Sequence, residues 1–188
     1  DATIESLVEV GYAATSARGV AKRAGVSQGA QQHYFPSKAE LIDAAFTRLM
    51  AQLAMQDMAE PFAKKSERER ASAYLDRLWE IHNLPVSHAV LEVFLLARTD
   101  TEVAQRVSRV VALAMIHLDE AGVALLPELG TRADVREWMQ LAQATMRGIV
   151  LMQSVPGLQE GFVSWPIARR HLLMQLDALI AARRGKGK

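Results

Sequence analysis

Apolar residues recur at helical spacing along almost the whole chain, and no stretch alternates with the period of two that a β-strand requires. Capping signals divide this pattern into helices, because a serine or threonine is followed three residues later by a glutamate at Ser37, Ser66 and Thr99. We expect the helix that Ser37 opens to run without glycine or proline to about Ala59. The sequence therefore predicts an all-α protein.

Composition excludes several other classes of protein. A chain of 188 residues that is 50% hydrophobic can bury a sizeable core and is not a disordered chain. The absence of cysteine excludes disulfides, thiolate catalysis and cysteine-ligated metals. The apolar runs are far shorter than a membrane-spanning helix requires, so no membrane partner is predicted. The first residues lack the basic segment of a signal peptide, and we expect a cytoplasmic location.

The net charge is only +1, but the charge is unevenly distributed. No aspartate or glutamate occurs between Tyr12 and Lys38, whereas Arg18, Lys22 and Arg23 lie within that stretch. A positive segment without acids suits contact with the phosphates of a nucleic acid. This acid-free segment is therefore where we look for a nucleic-acid interface.

The acid-free segment also has the pattern of a helix-turn-helix. Ala21 is small where two helices cross closely, and Gly25 follows the first helix, where a positive φ ends it cheaply. Ser27 can cap the second helix. We expect Val20 and Val26 to pack the two helices against each other.

The second helix of this motif, about residues 28–34, carries polar side chains and no acid. Such side chains can read base edges in the major groove, where glutamine pairs with adenine. The side chains that we expect to face DNA are Gln28, Gln31, Gln32 and His33. An ordinary helical hairpin with a polar face is the alternative, which the glutamines and the absence of acids disfavour.

Residues 1–49 resemble the DNA-binding domain of the TetR family of bacterial transcriptional regulators. The matching residues are Gly11, Tyr12, Thr15, Ser16, Val20, Ala21, Ala24, Gly25, Val26, Ser27, Gly29, Tyr34, Phe35, Lys38 and Leu41. The resemblance implies an N-terminal three-helix DNA-binding domain over residues 1–49 and a helical ligand-binding and dimerisation domain over residues 50–188. It also implies a regulator, most often a repressor, that a small molecule releases from operator DNA on the bacterial nucleoid.

The same resemblance extends the set of expected DNA contacts. It adds Ser16, Arg18, Ser27, Gly29, Tyr34 and Lys38. Lys38 would meet a phosphate at the start of the fourth helix, where amide dipoles also favour an anion. The family usually has leucine and tyrosine where this chain has Gln31 and Gln32, so we expect Gln31 to find a partner or to turn toward solvent or DNA. Because Asp1 aligns inside the family's first helix, we expect the native chain to continue upstream.

The helices expected over residues 131–155 and 165–184 each carry two apolar stripes, and a helix with two stripes must be covered on both sides. The second stripe includes Leu141, Leu151, Leu172 and Leu179. We expect a homodimer through these two helices, which demands a pseudo-palindromic operator. Burial of both stripes in one larger core is the alternative. The preceding helix is expected to end at Gly122 and Pro127.

Enzyme signatures are absent from the sequence. There is no GxSxG, phosphate-binding loop or Rossmann glycine pattern, and the five histidines lack metal-binding spacing, so neither a cofactor nor a metal is predicted. A helical enzyme and a protein-binding adaptor remain alternatives. Eight methionines suit an adaptable ligand cavity. The candidate pocket residues, for which core packing is the alternative, are Trp79, His82, Phe94, His117, Trp138 and Met146.

Overall fold

The computed structural model describes residues 1–54, 66–127, 131–158 and 160–186. Within these ranges every regular element is an α-helix, as the sequence predicts. The helices are α1 (Ala2–Ala14), α2 (Ala17–Ala24), α3 (Gln28–Tyr34), α4 (Lys38–Ala54), α5 (Glu67–His82), α6 (Pro85–Ala97), α7 (Thr101–Leu125), α8 (Arg132–Gln153) and α9 (Trp165–Lys186). No described helix is long and apolar enough to cross a membrane. The expected extension of α4 to Ala59 lies outside the described residues.

Side-chain caps fix where several helices begin. The Ser66 hydroxyl accepts a hydrogen bond from the Glu69 amide, and the Glu69 carboxylate accepts one from the Ser66 amide at 2.8 Å, so this predicted capping box is confirmed. At Ser37 the structure shows the serine half of the box, in which the hydroxyl accepts from the Glu40 amide at 3.2 Å. Helix α6 begins at Pro85, where a missing N–H leaves no backbone partner unsatisfied.

The predicted cap of α7 at Thr99 is wrong. The Asp100 carboxylate accepts the Val103 amide at 3.1 Å and caps the helix instead. The Thr99 hydroxyl donates to the carbonyl of Leu96 at 3.2 Å, at the end of α6. Thr99 is thus used at the end of α6, and the next residue, an aspartate, is a strong N-cap and begins α7.

The predicted end of α7 at Gly122 is also wrong, because the helix continues through this glycine to Leu125. Gly122 serves close packing rather than helix termination. A Cβ at this position would collide with the Sδ of Met139 on α8. The side chain of Met139 therefore occupies the space that a larger residue in α7 would fill, and Pro127 lies just beyond the helix.

The chain divides into two compact units, Asp1–Gln56 with Leu84–Ala114 and Asp57–Asn83 with Met115–Lys188. Helix α6 and the first part of α7 thus lie with the N-terminal helices. The functional boundary expected between residues 49 and 50 is a different kind of division and stays a prediction.

The first unit is built on a small apolar core. Its buried residues include Leu7, Ile42, Ala89, Val93 and Val103, from α1, α4, α6 and α7. The expected packing of Val26 against Val20 is wrong, because Val20 is buried whereas Val26 is 48% exposed. Val26 lies in the turn between α2 and α3, where neither helix covers it.

The second unit has a larger core from α5, α8 and α9. The first stripe of α8 is buried throughout, and consists of Val135, Trp138, Met139, Ala142, Met146, Ile149 and Val150. Within this single chain Leu141 is 46% exposed, as expected for the second stripe of α8. In α9 the expected assignment is wrong: Leu172 is buried, Leu179 packs against the same core, and the large apolar residues that are exposed are Ile167 and Met174. Both stripes of α9 are apolar, so the sequence alone does not distinguish them.

Candidate nucleic-acid interface

The turn between α2 and α3 is fixed by two serines and one glycine. The Ser16 hydroxyl accepts from the Gly19 amide at 3.1 Å and begins α2. Gly25 ends α2 with a left-handed backbone, φ 68°, as the sequence predicts. The Ser27 hydroxyl then accepts from the Ala30 amide at 3.1 Å and begins α3. These local contacts set the start and direction of the second helix.

Most of the predicted DNA contacts lie on the exposed surface of α3 and of its N-cap residue. Helix α3 exposes its polar side chains, and Tyr34 at its end is 75% exposed. The rings of His33 and Tyr34 meet edge to face, with centres 5.2 Å apart. We call this surface the α3 face, and its exposed members are Ser27, Gln28, Gly29, Gln32, His33 and Tyr34. Ser16 and Arg18 on the neighbouring α2 segment are exposed as well.

The positive charge of the acid-free segment is partly neutralised by α1. Arg23 forms ion pairs with Glu9 and Glu5, and its guanidinium donates to Oε1 of Glu9 at 2.9 Å. This hydrogen bond lowers the pKa of Glu9. Arg23 therefore joins α2 to α1, whereas Arg18 and Lys22 are exposed.

Gln31 does not belong to the α3 face, which corrects its predicted role as a DNA contact. Its side chain is only 5% exposed, and its Nε2 donates to the Phe35 carbonyl at 2.9 Å. Its Oε1 is buried and has no hydrogen-bond partner within the described part of the chain. Gln31 thus takes the inward position that the family fills with leucine, since the helix register fixes which side chains turn inward.

Lys38 is held by contacts with Tyr12. Its Nζ donates to the Tyr12 carbonyl at 2.6 Å and lies 4.0 Å from the centre of the Tyr12 ring. The side chain is half-buried, and this burial lowers the pKa of Lys38. The sequence gives no sign of this contact, because the two residues lie far apart along the chain.

Three of the candidate pocket residues, Trp79, Trp138 and Met146, belong to one core cluster of the second unit. Phe94 lies in the first unit, where its ring meets that of Phe46 with centres 6.0 Å apart. Trp138 and Met146 are fully buried in the core of the second unit. Trp79 stacks on Trp165, with ring centres 4.8 Å apart. The side chain of His117 lies outside the described residues. The six-residue pocket therefore stays a prediction.

His82 is a half-buried histidine of the second unit. Its Nδ1 lies 2.8 Å from the Leu78 carbonyl. Burial lowers the pKa of His82, which favours the neutral ring with Nδ1 as the donor. This arrangement satisfies the ring within its own helix, and it agrees with the alternative of a core histidine.

Tyr74 is a candidate ligand-contacting residue that the sequence did not indicate. The side chain is 1% exposed in the core of the second unit, and burial raises the pKa of its phenol. Within the described part of the chain its hydroxyl has no hydrogen-bond partner. A buried hydroxyl without a partner costs free energy that phenylalanine would avoid. A tyrosine on an apolar stripe gives no signal of this in the sequence.

Comparisons with known proteins agree with this arrangement. The pattern of "Bacterial regulatory proteins, tetR family" matches residues 1–45. The HTH-type transcriptional regulator CymR of Pseudomonas putida is 28% identical over 151 residues, which are 80% of this chain and 74% of CymR. A transcriptional regulator of Rhodococcus sp. Rha1 has the same fold, with a TM-score of 0.70 at 22% identity over 96% of this chain and 93% of that one. FadR of Bacillus subtilis, solved with stearoyl-CoA, gives 0.63 at 22% identity over 94% of each chain.

A helix-turn-helix whose second helix exposes amide, imidazole and phenol groups, attached to further helices, defines a DNA-binding transcriptional regulator. Residues 1–45 match the tetR family of such regulators, and the chain is similar over most of its length to an HTH-type transcriptional regulator. This similarity favours a regulator over both alternatives that the sequence left open, the helical enzyme and the protein-binding adaptor.

Proposed function

We propose that the α3 face reads a specific operator in the major groove and that the regulator represses transcription there. The observation that carries this proposal is the exposure of Gln28, Gln32 and His33 on a helix without any acid. An amide can pair with the N6 and N7 edge of adenine, whereas an exposed carboxylate would be repelled by the phosphates. Ser27 and Tyr34 add hydroxyl groups at the two ends of the same helix, and such groups can contact DNA phosphates.

Base reading and phosphate contact predict different results for two alanine variants. Gln28→Ala is expected to weaken binding to the preferred site by about 1–3 kcal/mol and to leave an unrelated duplex almost unaffected. Lys38→Ala is expected to weaken binding to both duplexes. The slope of log affinity against log salt concentration should also fall by about one unit, the value for one lost phosphate contact. The measurement is fluorescence anisotropy with an operator that the protein selects from a random duplex library.

Gln105→Ala is the matched control, since Gln105 is an exposed glutamine of α7 and lies outside the α3 face. Its affinities are expected to equal those of the unmodified protein. An equal loss on both duplexes for Gln28→Ala would assign Gln28 to positioning instead of reading.

The proposed active form is a homodimer joined through α8 and α9. The support is the apolar surface that each helix leaves exposed in the single chain, with Leu141 at 46% on α8 and Met174 at 57% on α9. The smaller residues on the same outward sides are Ala144, Gly148, Ala178 and Ala181. Small residues beside large apolar ones allow helices of two copies to approach closely. A two-fold dimer would present its α3 faces to successive turns of a pseudo-palindromic operator, about 34–36 Å apart.

The proposed signal is a small molecule that binds the second unit and releases the operator. Regulators of the family bind such ligands, and FadR was solved with stearoyl-CoA. Two features of the core of the second unit support a ligand there. Tyr74 offers a hydroxyl that has no hydrogen-bond partner among the described residues, and Met139 and Met146 have flexible side chains.

Ligand release predicts a reciprocal effect between the two binding events. A metabolite library is first screened by thermal shift, because a ligand of the folded state raises the apparent stability. The affinity of the strongest hit is then measured by calorimetry with and without the selected operator. We expect operator DNA to weaken the ligand by about 5–150-fold, the same factor by which the ligand weakens the operator. Equal ligand affinities in the two titrations would rule out release by this ligand.

A further inference from the structure

Charged side chains hold the backbone of Tyr12 on both sides. The Tyr12 amide donates to Oε2 of Glu92 at 2.7 Å, and the Tyr12 carbonyl accepts from Nζ of Lys38 at 2.6 Å. The same ammonium lies 4.0 Å from the centre of the Tyr12 ring. Residues of α1, α4 and α6 thus form one continuous set of contacts within the first unit.

Gly11 makes this set of contacts possible. Its φ of +73° interrupts the helical backbone of α1, a conformation that side chains other than glycine rarely adopt. An ideal Cβ at Gly11 would also lie 3.0 Å from Oε2 and 3.3 Å from Oε1 of Glu92. A glycine is therefore needed both for the kink and for the close approach of the Glu92 carboxylate to the Gly11–Tyr12 peptide.

The contact with Tyr12 leaves Lys38 oriented, with hydrogen-bonding capacity to spare. An ammonium has three donors, and the Tyr12 carbonyl accepts one of them. The Tyr12 ring holds the stem and the charge in place, which reduces the side-chain entropy that binding would otherwise cost. A lysine held in this way can donate its other hydrogen atoms to a phosphate without being ordered anew.

We propose that Glu92 positions Lys38 for a DNA phosphate through the backbone of Tyr12. Glu92 itself has no part in the α3 face, and the proposal rests on the phosphate contact of Lys38 in the proposed function. It predicts an effect of unusual sign. Removal of an acid from a DNA-binding unit ordinarily strengthens binding, because one repulsive charge is lost. Removal of Glu92 is expected to weaken binding instead.

The test uses Glu92→Ala, Glu92→Gln, Lys38→Ala and the double variant of Glu92→Ala with Lys38→Ala. Each is titrated by anisotropy against a duplex that the protein selects from a random library, at several salt concentrations. Glu92→Ala is expected to lose about tenfold in affinity, the size of one hydrogen bond to a charged group. Glu92→Gln keeps an acceptor oxygen and is expected to retain most of the affinity. In the Lys38→Ala background, Glu92→Ala is expected to have no further effect.

Glu102→Ala is the matched control. Glu102 is an exposed carboxylate that accepts a hydrogen bond from Arg106 and none from the Tyr12 amide. Burial first, then the charges of Asp100 and Glu102, raise the pKa of Tyr12, so Glu102 acts on Tyr12 through its charge alone. Its removal takes away the same charge without the same contact. We expect Glu102→Ala to leave the affinity unchanged or slightly higher.

Three results would overturn the proposal, and they have different meanings. If Glu92→Ala increases the affinity, as loss of charge alone can do for Glu102→Ala, then Glu92 acts on DNA binding only through its charge. An equal tenfold loss in the Lys38→Ala background would show that Glu92 acts on the fold and not through Lys38. If Lys38→Ala changes neither the affinity nor the salt dependence, the phosphate contact of the proposed function itself fails. Glu92→Asp serves if the alanine variant folds poorly, since it keeps the charge but shortens the reach and is expected to lose affinity.

Discussion

Met174→Asp is expected to convert the regulator into a monomer and to reduce its affinity for a two-site operator by about 10²–10⁴-fold. This factor is the gain that a second, linked binding head provides at a typical effective concentration. Met174 is the most exposed large apolar residue of α9, at 57%. An aspartate in the middle of the proposed interface would bury a charge without a partner, which association cannot tolerate.

The oligomeric state is measured by sedimentation at micromolar concentration, and the operator affinity by anisotropy. Gln175→Asp is the matched control, because it introduces the same charge one residue further along α9, at an exposed polar position. Gln175→Asp is expected to remain dimeric. Since Met174 is exposed within the single chain, the Met174→Asp monomer should keep its helical content, and circular dichroism checks this. A dimeric Met174→Asp protein would contradict an interface through this side of α9.

A second expectation follows for the isolated monomer. On a duplex with only one half-site, Met174→Asp should bind about as tightly as the unmodified protein, because its α3 face is unchanged. A loss on both duplexes would indicate damage to the DNA-binding unit instead. Comparing one half-site with two thus separates the effect of dimerisation from the effect of folding.

Local signals in the sequence predicted most of the helices and the α3 face. Caps act within three residues, so the box at Ser66, the cap at Ser27 and the left-handed Gly25 can be read without tertiary structure. The α7 start shows the limit of such signals. Thr99 and Asp100 are both good caps, and only the end of α6 decides between them.

Contacts between distant parts of the chain could not be predicted in this way. The hydrogen bond from Lys38 to the Tyr12 carbonyl depends on how α4 packs on α1. The hydrogen bond from the Tyr12 amide to Glu92 depends on how α6 packs on α1. The burial of Gln31 is a related case, because a polar side chain at an inward position reveals itself only when the neighbouring helices are in place. The resemblance to the family marked Gln31 as unusual, but it did not say which way the side chain turns.

The candidate pocket could not be decided from the sequence for a similar reason. An aromatic residue on an apolar stripe looks the same whether it lines a cavity or fills a core. Phe94 and Trp138 even belong to different compact units, which no periodicity in the sequence indicates. Packing density is the property that separates the two cases, and it can be tested by the cost of removing a side chain.

Trp138→Ala is therefore expected to lower the free energy of unfolding by about 3–5 kcal/mol, the range for removing a large aromatic residue from a packed core. Trp138 is 1% exposed, and its Nε1 donates to the Leu172 carbonyl at 2.9 Å, so the indole joins α8 to α9. Urea unfolding followed by circular dichroism measures the change. Gln140→Ala, at an exposed position of the same helix, is the control and is expected to change the stability by less than about 0.5 kcal/mol.

The size of this loss decides between core and cavity for Trp138. A residue that lines an open pocket already has unfilled space beside it, so its removal costs little packing and instead enlarges the pocket. If Trp138→Ala lowers the free energy of unfolding by less than about 1 kcal/mol, Trp138 lines a ligand cavity and does not fill a packed core. With the larger loss, a ligand can reach this region only by displacing packed side chains. The flexible neighbours Met139 and Met146 are then the residues that must move. The hydroxyl of Tyr74, which no other described residue pairs, is the group that a ligand would meet in the same core.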